Sequence, residues 1–260
     1  MGSLAGKSPA NTYKSLLKVA DETNGVSGSA SQIEDGEGTS TCLQISTTVA
    51  HFKPASDVNA ALKVERANGD DLLTVDTNNS LVKVGTSQVS ATTQLLTFNA
   101  YRIVPASAGT HYFVGLPTGE YQSHNVEISN GTGTDPSVSK DAGTTTQYLA
   151  NFIFPVPYNI TIDACKALIS SHQDTDITVN THLMSFDMVN DGTTNDGNLT
   201  NGTVLADGQA TSVDRSVIKT LDYTIQSSSV TSGKVIACFV ENETNTDYIN
   251  IQVQVKYHIA

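Results

Sequence analysis

The chain has 260 residues, of which 38% are hydrophobic, 6% aromatic and 15% charged, and it has no tryptophan. Fourteen lysines and arginines stand against 26 acidic residues, a net charge of −12. A field of that sign repels phosphate backbones, and no basic stripe interleaved with aromatics offsets it, which argues against nucleic-acid binding and favours a basic or metal-bridged partner.

The charge is uneven: seven basic and ten acidic residues precede Thr92, a balance of −3, and seven and 16 follow, a balance of −9. Disordered chains carry more charge and fewer β-branched residues. Thr, Val and Ile suit pleated, half-buried strands, and Asn, Gly and Asp supply turns between them. The apolar content is thin for this length, so part of the buried surface is expected between subunits. The cysteines, Cys42, Cys165 and Cys238, are odd in number and widely spaced, unlike a zinc motif or a disulfide scaffold. Cys165 and Cys238 sit among apolar neighbours and are expected to pack as small hydrophobes. This composition suits folding in a reducing cytoplasm. The first residues, MGSLAGKSPANTYK, lack the apolar core of a secretory signal, and no run of about 18 apolar residues suggests a membrane span.

In chain order, residues 1–54 read as an irregular, extended arm. Ser8-Pro9 fits the cap of a short helix bearing Tyr13, Leu16, Leu17 and Ala20, whereas the alternation Leu17, Val19 fits a strand; both remain open. An acidic turn at residues 34–38 precedes a strand-like TCLQIS, and the arm lacks the apolar residues for its own core. Residues 55–91 read as a three-strand meander: ALKVERA, LLTVD and SLVKVG, with Leu62/Val64, Leu73/Val75 and Val82/Val84 on one face and Asn68-Gly69 as a hairpin turn. So small a sheet is marginal alone, and three copies around an axis would bury its apolar face.

Residues 92–260 carry strand-like runs at 95–103, 111–117, 124–129, 148–154, 160–170, 177–189, 217–225, 234–242 and 248–259, without a helical period. That number of strands over ~170 residues predicts an antiparallel β-sandwich of the jelly-roll kind, so the fold class is all-β, with a small β-meander stem and a C-terminal sandwich. The last run places Ile249, Ile251, Val253, Val255 and Tyr257 on one face and Asn250, Gln252, Gln254 and Lys256 on the other.

Taken together, KSPANTYKSLLKVAD with IEDGEGTSTCLQIST, VERANGDDLLTVDTNNSLVKVG, and FIFPVPYNITIDACKALISS with INIQVQVKYHI resemble, in that order, the attachment segment, shaft meander and jelly-roll head of marine bacteriophage virion proteins of the fibre, spike or capsid-decoration type. The resemblance covers most of the chain outside about residues 99–147, and no single motif in it is highly specific. It implies a homotrimeric structural protein of the virion, assembled in the host cytoplasm and joined to other virion proteins by its N-terminal arm. Its head would be exposed for attachment to a host-surface glycan or protein, or for bracing the shell. It brings no catalytic residues.

The residues themselves mark no catalytic, cofactor-binding or metal site. Gly6-Lys7-Ser8 lacks the upstream glycine and strand of a phosphate loop, and G-x-S-x-G and H-E-x-x-H are absent. His51, His111, His124, His172, His182 and His258 are scattered without ligand spacing. Asp187, Asn190, Asp191, Asn195, Asp196 and Asn198 gather oxygen atoms as calcium loops do, yet Asn-Asp-Gly repeats are ordinary turn chemistry and the expectation is a metal-free loop. Asn-x-Ser/Thr sites at Asn78, Asn130, Asn159, Asn198, Asn201 and Asn242 are expected to be bare in a bacterial host. The alternatives are a carbohydrate-binding or adhesin-like secreted module, which the missing export signal and scarce aromatics disfavour, and a polysaccharide-degrading spike, which would carry long β-helical repeats and a carboxylate pair.

Overall fold

The structure, a computed structural model, describes residues 16–21, 23–117, 128–141, 143, 146–172, 174–192 and 194–260. The predicted strand at 124–129 therefore lies largely outside the described residues, as does the helix-or-strand choice before residue 16. The chain divides into two compact units, residues 1–91 and 92–260.

In the first unit, β1 (Lys18–Val19), β2 (Ser31–Glu34), β3 (Ser40–Ile45) and β4 (Ala50–Phe52) form an antiparallel sheet in chain order. An irregular arm was expected here. The acidic glycine run is a turn as expected, and it closes a hairpin: Asp35 Oδ1 accepts from the amides of Glu37 (2.9 Å) and Thr39 (2.8 Å), fixing the register of β2 on β3. A second meander follows, β5 (Leu62–Glu65), β6 (Asp71–Asp76), β7 (Leu81–Val84) and β8 (Val89–Ser90), one strand longer than expected.

The register of this meander aligns Leu62, Val75 and Val82 in one row and Val64, Leu73, Val84 and Val89 in the next, so the apolar side chains do share a face. That face is open: Val64, Val82 and Val84 are 46%, 42% and 43% exposed. The opposite, polar face is the better covered one. Lys83 Nζ reaches Asp76 Oδ2 at 2.7 Å and holds its carboxyl down to about 2, and Thr74 and Asp76 are buried. Among the described residues of this unit no apolar side chain is buried.

The second unit is an antiparallel sandwich. One sheet runs β15-β12-β19-β9, with β9 (Thr93–Ile103), β12 (Ile160–Ser171), β15 (Lys219–Asp222) and β19 (Ile249–Ile259), and β17 (Ser229–Val230) also pairs with β12. The other runs β10-β18-β13-β14-β16, with β10 (His111–Val114), β13 (Ile177–Met188), β14 (Leu199–Val213), β16 (Thr224–Ile225) and β18 (Lys234–Asn242), and β11 (Ile153–Pro155) also pairs with β18. Numbering the main strands one to eight along the chain, with β15–β17 as the sixth, the sheets read 6-3-8-1 and 2-7-4-5. This is the double Greek key of a jelly roll. β19 alternates as expected, its Ile249, Ile251, Val253, Val255 and Tyr257 facing the inter-sheet core with Phe98, Ile169, Leu183, Ile236 and Val240. Cys165 and Cys238 are free thiols within that core; burial pushes Cys165 up to about 12 and Cys238 well above its ordinary value.

A second apolar cluster lies on the outer face of the β18-containing sheet, where Phe113, Met184, Phe186, Val235, Ala237 and Phe239 are covered by Ile128, Leu149, Phe152 and Ile153. Leu149 ends a one-turn helix, α1 (Thr146–Leu149), within the run expected to be strand. The longest strand, β14, was not anticipated, because its Asn201-Gly202 and Asp207-Gly208 pairs signal turns. Both glycines instead permit close packing. A Cβ on Gly208 would come within 3.1 Å of the Leu221 side chain, and one on Gly202 would stand 2.6 Å from Phe186 and 2.8 Å from the Val138 backbone. The Gly202 amide donates to Val138 O at 2.8 Å, which seats the covering segment on β14. Gly202→Ala is accordingly expected to lower stability by about 1–3 kcal/mol in urea unfolding, and an unchanged midpoint would contradict this packing.

Candidate functional site

The outer face of that sheet changes character partway along its strands. Beyond the phenylalanines the cross-strand row becomes His111 on β10, Glu241 on β18, Asn180 on β13 and Gln209 on β14, because these four are register partners. The neighbouring row contributes His182, directly opposite Asp207. Residues 128–141 run over this face. His111 Nε2 donates to Gly133 O (2.9 Å) and Asn130 Nδ2 to Ser137 O (2.9 Å), and Gly131 has a φ of +94° at the turn between them. Asp135 is thereby brought over the sheet, and its Oδ1 lies 3.3 Å from His182 Nε2.

The result is a cleft of about 560 Å³ lined by Asp135, Asn180, His182, Asp207, Glu241 and Glu243, among others. His182 and the adjacent His111 are both buried, and their rings meet edge to face at 5.0 Å. Since a carbonyl only accepts, His111 carries its proton on Nε2. Both Nδ1 atoms are buried without a hydrogen-bond partner. Burial and the neighbouring His111 bring His182 down to about 4, so it is neutral at pH 7. Asn180 Nδ2 donates to Glu241 Oε2 at 2.8 Å, and Gln226 Nε2 to Asp207 Oδ1 at 3.1 Å. Among the described residues, Asp135, Asp207, Glu241 and Glu243 form no ion pair with lysine or arginine. The donor atoms of Asp135, His182 and Asp207 all lie within 4.8 Å of one another.

Of the scattered histidines, the fold thus brings His111 and His182 together. His258 pairs instead with Asp163 at 2.8 Å, and His172 stacks on Tyr248, whose ring also lies 4.5 Å from the Arg102 guanidinium. His124 is outside the described residues. In the loop with candidate calcium ligands, the Asp187 and Asp196 carboxylates are engaged by protein groups. Asp187 meets Lys234 Nζ at 2.6 Å, and Asp196 Oδ1 accepts from the amides of Asp191 (2.7 Å) and Gly192 (3.0 Å). Asn130 and Asn242 are buried and hold turns. Sequence reasoning passed over the acidic cleft because His182 and Asp207 meet only through the pairing of β13 with β14. Residues 199–213 give no clean alternation that could have shown it, since their burial pattern is broken by irregularities in the β13–β14 register.

No family model matches the chain, and no curated protein matches it. Among solved structures it is similar to one described as the structure of infectious bursal disease virus Gx strain, at 8% identity and a TM-score of 0.26, over 72% of this chain and 63% of that one. The chain thus spans less than two thirds of that viral chain, and at this TM-score the likeness carries no argument.

The neutral, buried His182 makes stability depend on pH. The unfolded chain binds a proton near 6.5 that the folded chain takes up only near 4, so stability rises with pH across that window and falls as the solution is acidified through it. In chelator-containing buffer, the unaltered protein should lose roughly 2 kcal/mol more than His182→Gln between pH 7 and 4.5 in urea unfolding. Parallel losses would contradict the assignment.

Proposed function

We propose that this chain is a structural protein of a bacteriophage virion, working as a homotrimer in which residues 1–54 attach to the particle, 55–91 form a short stem and 92–260 form an exposed head. The observation that carries this reading is the open apolar face of β5–β8. Seven aliphatic side chains align there, while no apolar side chain is buried among the described residues of the unit. A sheet with its apolar side in water while Thr74 and Asp76 on the other side are buried is arranged for burial against other chains. Copies of the same chain are the occupants chosen, since an uncharged, repeated stripe is self-complementary around an axis. Support for a virion role comes from the resemblance of the three segments in order and from the jelly-roll topology, an architecture used by capsid and lectin domains alike. The head would then serve host attachment or shell bracing, and no chemistry is assigned to it.

Light scattering of the full chain should give a mass near three times 27.5 kDa. Val82→Asp, which sets a charge between Val75 and the open edge of the face, should shift it toward the monomer. A monomer from the unaltered chain across the accessible concentration range would overturn the stem.

A further inference from the structure

We propose that Asp135, His182 and Asp207 bind one divalent transition-metal cation of the zinc type, which fastens the segment carrying Asp135 to the outer face of the sandwich. The inference does not depend on the oligomeric state. It rests on three observations that meet at one point.

The first is geometry. Metal–ligand bonds of about 2.0–2.1 Å at tetrahedral angles place neighbouring donors roughly 3.3 Å apart, and His182 Nε2 and Asp135 Oδ1 are 3.3 Å apart. The Asp207 carboxylate lies opposite His182 in the β13–β14 register and within 4.8 Å of the other donors, with its Oδ1 accepting from Gln226 Nε2 at 3.1 Å. Asp135 is 58% exposed at its side chain, so it can turn and the cleft gives a route of entry.

The second is charge. Four carboxylates face this cleft without an ion-paired lysine or arginine among the described residues. Glu241 is 5% exposed; its Oε2 accepts from Asn180 and stands 3.7 Å from His111 Nε2. Carboxylates gathered in a partly dry cleft repel one another, and a cation among them removes that cost.

The third is the imidazole itself. His182 lines the cleft, is 5% exposed, and places Nε2, the nitrogen that would ligate, 3.3 Å from Asp135 Oδ1. One imidazole with two carboxylates suits zinc or manganese, whereas calcium and magnesium prefer all-oxygen shells of six or more ligands. Three protein ligands leave a fourth position for water.

The test is isothermal titration of the full, chelator-stripped protein with zinc chloride, with manganese and calcium chlorides in parallel. Asp135→Asn and Asp207→Asn are the variants, since both side chains reach solvent and neither substitution changes volume. Circular dichroism would confirm that each variant is folded. The proposal expects one-to-one zinc or manganese binding, weakened at least tenfold in each variant. Absence of one-to-one binding in the unaltered chain would overturn it. So would an affinity in both variants equal to that of the unaltered chain, which would place the ion elsewhere. Calcium binding as tight as zinc would overturn the choice of metal class.

Discussion

The fold depends on one strand that is dry on both sides. β18, running KVIACFVEN, sits between β10 and β13 and is buried at every position after Lys234. Its Ile236, Cys238 and Val240 enter the inter-sheet core, while Val235, Ala237 and Phe239 enter the outer cluster. An antiparallel sandwich ordinarily leaves its outer faces wet. Here the outward phenylalanines require a cover, and Ile128, Leu149 and Phe152 supply it. The cover crosses from apolar to polar partners where Phe239 gives way to Glu241, and the acidic cleft lies at that crossing. The site is thus a consequence of how far the second core extends along the strands.

Burial is divided unequally between the two units. Among the described residues, all the buried apolar side chains lie at or beyond Leu96. Residues 92–260 have two cores and a closed set of strand partners, enough to stand alone. The first unit has aligned apolar side chains with nothing over them among the described residues, so its sheet is held by backbone pairing, Asx turns and the Lys83–Asp76 pair. Those interactions set a shape and contribute little net stability in water. The proposed assembly supplies what is missing there and adds nothing that the sandwich needs.

Much of this was legible in the residues. Period-two alternation made β19 plain, and the aligned valines of β5–β7 predicted a shared face that the register confirms in detail. β14 was hidden because Asn-Gly and Asp-Gly are turn signals locally, while the use of Gly202 and Gly208 as clearance for Phe186, Val138 and Leu221 is a tertiary matter. Losing β14 also hid the cleft, since the side chains that meet there come from β13, β14 and the segment around Asp135. Residues 18–52 were read in part: the acidic turn and the strand-like TCLQIS are the β2–β3 turn and β3, but few apolar residues suggested an irregular arm around them, although hairpins closed by Asp35 and Ser46 do not need a core to set their register.

The central claim is that the sandwich is stable by itself while β5–β8 borrows its stability from other copies of the chain. Hydrogen exchange followed by mass spectrometry at several protein concentrations tests this most directly. Amides of β13 and β18 should stay protected at every dilution, and those of residues 62–90 should lose protection as the protein is diluted. Protection in residues 62–90 that is independent of concentration, and as strong as in β18, would contradict the account.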